Sequence, residues 1–331
     1  MRNVFVFSSL VVVFSFLVAI FGFKYWSETP ISLSEKSIFV LKPGQVFSDI
    51  SAQLIDQGVD IEPFLFYALA KIKRVEGSLM AGTYELPLQI SPARLLDMFS
   101  KGEVKLYEFR INEGWNFQQL ATGLRADKNI VYTLDGVPFR ELGERLNIEY
   151  PYIEGVFFPD TYFFESGAED LDILSRAYEK MRQKVSASWQ RFSSEKYDLE
   201  SSSDLLVLAS LIEKETGNDE DRYIISQVFH ERLKRKMRLQ TDPSVIFALG
   251  DKFDGNLTRR NLRIDSPYNT YRKRGLPPTP ISYPSNASLL AAANPANSEY
   301  LYFVARGDGS SQFSETLREH NAAVRKYQLK R

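Results

Sequence analysis

From Val4 to Phe23 the chain runs without a charged residue, dominated by Val, Phe, Leu and Ile, with Arg2 before the run and Lys24 after it. A helix of about twenty residues at 1.5 Å rise spans roughly 30 Å, the hydrocarbon thickness of a bilayer. A cleaved signal peptide has a shorter apolar core and a small-x-small exit. Here the run leaves through Phe21, Phe23, Tyr25 and Trp26, bulky side chains that suit an interfacial belt. We therefore expect a retained single-pass anchor, with the tail and anchor occupying residues 1–26. Arg2 and the terminal amine, weighed against Lys24, Glu28, Glu35 and Lys36, favour a cytoplasmic amino terminus. The body would then lie outside the inner membrane.

The remainder of the chain, beyond the anchor, is long enough for two packed domains. Charged residues make up 25% of the chain and the formal net charge is −1. No basic excess points to nucleic acid. The absence of Cys excludes disulfides and thiolate metal sites. The two His, His230 and His320, are far apart in sequence, which argues against a His metal cluster or a Ser-His-Asp triad. Phosphate-loop, dinucleotide and nucleophile-elbow patterns are absent, so neither a metal nor a cofactor is expected. The 24 Phe and 17 Tyr suit either a sugar-lined groove or a large core.

Leu205 to Thr216 is an apolar helical run that ends in two carboxylates, Glu213 and Glu215. At 3.6 residues per turn Glu215 lies over Leu208, Leu211 and Ile212, whereas Glu213 lies over Leu206, Ala209 and Ser210. Glu215 continues the greasier face. Poor solvation there favours the neutral acid and raises its pKa, the condition for a general acid near neutral pH. The competing reading is a helix whose last turn reaches solvent with both Glu residues exposed.

Phe39 to Leu54 aligns without gaps to Phe109 to Leu124. Each copy reads as a short alternating strand, a turn at Gly44 or Gly114, and an amphipathic helix, with Ser48 as a cap for the first helix. Between them, Pro63 to Ile72 and Ser91 to Ser100 read as helices, and Gly82 to Pro87 as a strand. This strand–helix–helix–strand order resembles the LysM peptidoglycan-binding module. The alternative is a generic α+β packing unit.

Further on, Tyr152 to Phe164 sets aromatics around Glu154 and Asp160, as a sugar groove or as a packed turn. Leu171 to Phe192 and Asp219 to Lys236 read as helices, and His230 as a structural or surface residue. Thr241 or Asp242 before Pro243 marks a helix start, where free N–H groups can also meet a substrate oxygen. The Pro-rich loop from Ser266 to Pro280 is long enough to be functional. Tyr300 to Ala305, Gln312 to Ser314 and the turn between them read as a hairpin, followed by a helix from Glu315 to Tyr327.

Several motifs occur in order: Glu154-Gly155, Phe158-Pro159-Asp160-Thr161, Ala209 to Thr216, Arg238 to Pro243, Tyr268-Asn269-Thr270-Tyr271, Gly275 to Pro278, Asn294-Pro295 and Tyr300 to Val304. With the anchor and the LysM-like unit, this set resembles the YceG-like (MltG) family of membrane-anchored endolytic murein transglycosylases over essentially the whole chain. The resemblance implies cleavage of MurNAc–GlcNAc β-1,4 bonds within nascent peptidoglycan, leaving 1,6-anhydroMurNAc ends and terminating elongation. It also implies that Glu215 is catalytic. Gln240, Asp242, Asn269, Tyr271, Asn294 and Glu154 become candidate substrate-binding residues. Val156, Phe158 and Tyr162 stand where relatives often carry Trp, which bears on the groove.

One carboxylate suffices for this chemistry. Glu215 would protonate the departing oxygen and then take the proton of the MurNAc 6-hydroxyl as that oxygen attacks C1. A lysozyme-like hydrolase needs a second carboxylate, with Asp242 or Glu154 as candidates. A noncatalytic peptidoglycan-binding scaffold is the other alternative. The expected architecture is α+β: anchor, LysM-like subdomain over 37–103, a second strand–helix unit over 104–147, and a catalytic domain over 148–331. Expected partners are glycan strands and the membrane, with peptidoglycan synthases or division proteins as candidate protein partners.

Overall fold

The computed structural model describes residues 2–193 and 197–329. The chain forms two compact units, Met1–Tyr107 with Phe164–Ser166, and Glu108–Phe163 with Gly167–Arg331. Both mix helices with small two-stranded sheets. The terminal amine invoked for orientation lies outside the described residues.

The first unit opens with helix α1 (Arg2–Glu28). Its stretch Phe7–Glu28 has a mean hydropathy of 2.1, long and apolar enough to cross a membrane. Its last turns meet the rest of the unit, where Phe23 and Trp26 pack on the core and Ser27 is buried. Strands β1 (Ile31–Ser32) and β2 (Ser37–Leu41) come next, then α2 (Phe47–Asp56), α3 (Pro63–Lys73), β3 (Gly82–Leu86), β4 (Gln89–Ile90) and α4 (Pro92–Ser100). β2 and β3 pair antiparallel with Phe39 opposite Tyr84, and β1 pairs with β4. Alternation sends Phe39, Leu41, Tyr84 and Leu86 inward onto Ile50, Leu54, Phe66 and Phe99, the period-2 rule for a sheet with one buried face. Pro63 and Pro92 sit in first turns, where the missing N–H costs nothing, and Glu62 and Ser91 cap those helices.

One local expectation fails. Ser48 does not cap α2, because the helix starts two residues earlier than such a cap implies: Val46 is the extended cap residue and Ser48 falls inside the first turn. The second copy of the repeat is capped, by Asn116 and Gln119 together. Gly44 and Gly114 both take positive φ, 74° and 72°, as the turn requires.

The second copy consists of β5 (Leu106–Arg110) and α5 (Phe117–Ala126). After it come β6 (Ile130–Val131), α6 (Phe139–Arg145), β7 (Thr161–Glu165), β8 (Ala168–Glu169), α7 (Asp170–Trp189), α8 (Ser202–Glu215), α9 (Asp219–Lys234), α10 (Asp242–Leu249), α11 (Asn286–Ala293), β9 (Tyr302–Ala305), β10 (Ser311–Ser314) and α12 (Leu317–Tyr327). The second unit is built around α8, with α7, α9, α10 and α11 packed on it. Leu205 through Ile212 are all buried, so this stretch of α8 is covered on every side, as in an enclosed helix. β9 and β10 form the expected hairpin, and α12 starts later than Glu315 because Thr316 caps it.

Candidate active site

Because α8 is enclosed, its last turn delivers Glu213 and Glu215 into protein rather than into water. The two carboxylates meet different surroundings. Glu213 Oε2 accepts hydrogen bonds from Ser285 N at 2.9 Å, Ser285 Oγ at 2.6 Å and Ser288 Oγ at 2.7 Å. It thus occupies the N-terminus of α11, where free N–H groups and the helix dipole favour a negative charge.

Glu215 receives no such set of donors. Burial pushes its carboxyl up to about 7 from an ordinary 4.5, and repulsion from Asp242 adds to the rise. Thr241 and, less strongly, Arg232 pull the other way. The Thr241 side chain is buried, yet its Oγ1 meets no acceptor in good hydrogen-bond geometry, so burial prevails. Part of Glu215 remains accessible. It is an acid that holds its proton near neutral pH and can still be reached. The helical projection expected this rise and its cause, burial of the carboxyl. Both faces of α8 are buried, and Glu213 differs in the hydrogen bonds that it accepts from Ser285 and Ser288.

Around Glu215 the chain is held by a compact set of hydroxyls. Thr241 N donates to Thr270 Oγ1 at 3.0 Å, and the Ser244 and Thr270 hydroxyls lie 2.8 Å apart. Ser244 Oγ donates to Thr241 O at 2.8 Å. Thr241 is the residue before α10, but its hydroxyl does not cap that helix. Tyr271 Oη donates to Asp242 Oδ1 at 2.5 Å. Gln240, exposed, sits at φ 51°, a left-handed conformation that costs a non-Gly residue about 1–2 kcal/mol. Asp242 and Tyr271 therefore come together beside Glu215, and Gln240 is the exposed chain neighbour of Thr241.

The other candidates fall elsewhere. Asn269 is fully buried, and its carboxamide is spent on the loop: Nδ2 donates to Leu262 O at 3.1 Å and Ile264 O at 2.7 Å, and Oδ1 accepts from Tyr271 N. It shapes the loop that carries Tyr271 and has no free group for a sugar. Asn294 is exposed at the C-terminus of α11, the end opposite Glu213. Glu154 accepts from Phe117 N at 3.1 Å and Gly155 N at 3.2 Å, and burial raises its carboxyl to about 7.

Glu154 also lines a cleft of about 1360 Å³ with Trp115, Asn116, Phe117, Gln119, Phe247 and Lys214. Lys214 and Pro243 in its wall are the chain neighbours of Glu215 and Asp242. The turn of the second repeat forms part of this wall. Gly114 N donates to Tyr283 O at 2.9 Å, Tyr283 N donates to Trp115 O at 2.7 Å, and Lys214 Nζ donates to Gly114 O at 3.1 Å. Val156, Phe157, Phe158 and Tyr162 are buried instead, so the Glu154 segment is mainly a packed turn. Val156, Phe158 and Tyr162 thus belong to its core rather than to the groove. Gly155 has φ 77°, and a Cβ there would lie 2.2 Å from Pro280 Cβ. Only glycine fits.

Sequence reasoning missed Arg232 as a part of this site. It is buried, its Nε donates to Leu301 O at 2.8 Å and its Nη1 to Leu239 O at 2.5 Å, and Tyr302 lies under the guanidinium. No local pattern marks it, since its partners come from a distant hairpin and loop. His230 is structural, as expected. Its Nε2 lies 2.9 Å from Ala292 O, which only a protonated Nε2 can satisfy, and burial lowers its pKa to about 4. Among the described residues no three His, Asp or Glu side chains converge to hold a metal.

Taken together, the desolvated Glu215 carboxyl flanked by a Tyr–Asp pair lies beside an aromatic and amide-lined cleft that holds a second buried carboxyl, Glu154, an arrangement suited to acid–base chemistry on an extended polar ligand. The chain belongs to the YceG-like family, whose model matches residues 39–326. It is 34% identical to the endolytic murein transglycosylase of Bacillus subtilis (strain 168), across 79% of this chain and 76% of that protein. With the endolytic murein transglycosylase of Streptococcus pneumoniae (strain D39) it shares 27% identity across 97% of this chain and 65% of that one. A crystal structure of a YceG-like protein from Listeria monocytogenes is similar over 87% of this chain and 99% of its own, at 31% identity and a TM-score of 0.55.

Proposed function

We propose that this chain is a membrane-anchored endolytic lytic transglycosylase in which Glu215 is the single acid–base residue. The enzyme cleaves MurNAc–GlcNAc β-1,4 bonds in nascent peptidoglycan, leaves 1,6-anhydroMurNAc ends and so terminates elongation. The similarity to murein transglycosylases supports the reaction. The observation that carries the mechanism is the Glu215 carboxyl, held near 7 at the end of an enclosed helix.

With glycan in the cleft, protonated Glu215 donates to the departing glycosidic oxygen as the C1–O bond breaks. The resulting carboxylate then accepts the proton of the MurNAc 6-hydroxyl while that oxygen bonds to C1. The proton inventory closes without water, and the carboxyl returns to its starting form. An intramolecular nucleophile also carries a large effective molarity, about 10⁵ M or more when well oriented. Arg232 and the Thr241 hydroxyl stabilise the carboxylate formed midway. Asp242, held by Tyr271, and Gln240 bind sugar at the site's edge. Glu154, Trp115 and Phe117 receive the strand further along. Asn294 is assigned a distal contact.

In this reading α1 is a single-pass anchor in the inner membrane, with the body on the periplasmic side. Residues 37–103 are a LysM-like glycan-binding subdomain, supported by the β2–α2–α3–β3 order and the antiparallel β2–β3 pair. Residues 104–147 connect it to the catalytic domain, 148–331. The test is mass spectrometry of purified glycan strands incubated with the enzyme. Anhydro-terminated fragments are expected, whereas reducing ends carrying an added water would establish a hydrolase instead.

A further inference from the structure

The lower part of α1 and the helix α3 enclose a groove of about 840 Å³ that the proposed reaction does not use. Ala19, Ile20 and Phe23 form one wall, and Leu65, Leu69 and Ile72 form the other. Its charged walls are Lys24 and Lys73, and Lys73 is already paired with Asp97 at 2.6 Å. Along the same edge, α3 leaves Phe64 74% and Ile72 68% exposed. For a helix that otherwise buries Phe66, Leu69 and Ala70 in its own core, these are a second apolar edge turned away from the protein.

From this geometry we infer that α3 lies in the membrane interface, with Phe64 and Ile72 among the acyl chains and lipid filling the groove beside α1. The inference rests on the reading of α1 as a membrane span. The occupant is set by continuity: Ala19 and Ile20 belong to the apolar run itself, so a groove walled by them opens onto whatever surrounds that run. In a bilayer this is hydrocarbon, and an apolar helix face lying in the interface buries about 5–10 Å deep. Lys71 is bridged to Glu76 at 3.1 Å as Lys73 is to Asp97. These two cations are not free for anionic headgroups, so docking is driven by apolar burial and needs no particular headgroup. The first unit, fixed in this way, is held close to the membrane surface rather than swinging from a flexible tether.

The natural chain has no Cys, so single cysteines can be labelled cleanly in the full-length protein. Phe64→Cys, Ile72→Cys, Phe16→Cys in the span and Asp56→Cys on the exposed end of α2 would each carry a fluorophore. The proteins are placed in phosphatidylcholine vesicles doped with nitroxide-bearing acyl chains. Labels at 64 and 72 are expected to be quenched at least about twofold more than the label at 56, approaching the one at 16. Adding phosphatidylglycerol should leave that ratio unchanged. If position 16 is quenched while 64 and 72 behave like 56, the docking is refuted and the anchor stands. If 16 also reports water, the anchor reading falls and the docking with it. Quenching that appears only with anionic lipid overturns the apolar mode of docking.

Discussion

A carboxyl kept protonated for catalysis must cost the fold something once it ionises, and Glu215→Gln measures that cost. The folded-state pKa, about 7, lies above the ordinary 4.5, so the folded protein holds this proton more tightly than the unfolded chain does. The contribution is fully present below about pH 4.5 and is lost as pH rises through 7. A displacement from 4.5 to about 7, at about 1.4 kcal/mol for each pH unit, amounts to about 3 kcal/mol above neutrality. Gln keeps the shape and carries no charge, so Glu215→Gln should be stabilised by that amount at pH 8. For a unit of this size the gain is about 6–12 °C in melting temperature. At pH 4 the wild-type carboxyl is already neutral in both states, and the two proteins should melt together. Calorimetry of the full chain in detergent at both pH values reads the difference. Equal effects at pH 4 and pH 8, or a variant less stable at pH 8, would refute the claim that Glu215 sits desolvated.

The same geometry sets four further outcomes. The turnover rate should fall about tenfold per pH unit above pH 7, as the acid ionises, and Glu154→Gln should retain this limb although Glu154 also titrates near 7. Glu213→Ala strips the acceptor from Ser285 and Ser288 and should cost about 3 kcal/mol in denaturant unfolding. Glu213→Gln should lose less stability and keep most of the turnover per folded molecule; a loss of turnover equal to that of Glu215→Gln would undo the division of roles. Gly155→Ala must accept both φ 77° and a Cβ 2.2 Å from Pro280, a cost of about 3 kcal/mol visible as a lower melting temperature.

Local signals carried much of this structure. The helices α3 and α4, the two Gly turns of the repeat and the hairpin at β9–β10 were legible because helix periodicity and turn chemistry are set by neighbours in sequence. The apolar run of α8 was legible from composition, whereas its enclosure on both faces was not, because that depends on the helices packed around it. Nor was the reason Glu215 differs from Glu213, because the serines that take up Glu213 lie some seventy residues on. Asn269 reads as a free amide in a polar loop, and only the path of the chain past Leu262 and Ile264 shows its carboxamide consumed. Arg232 escaped for the same reason, its partners being backbone oxygens of Leu239 and Leu301. The sequence left the role of the second repeat open, and only the fold ties its turn to Lys214 and Tyr283 in the wall of the cleft.

The most direct measurement is the distribution of glycan ends produced by wild type, Glu215→Gln, Asp242→Asn and Glu154→Gln, read by mass spectrometry. One acid–base residue predicts that anhydro ends vanish with Glu215→Gln and persist, at reduced rates, in the other two. Anhydro product from Glu215→Gln at the wild-type rate, or its complete loss in Glu154→Gln or Asp242→Asn as well, would contradict a single-carboxylate mechanism.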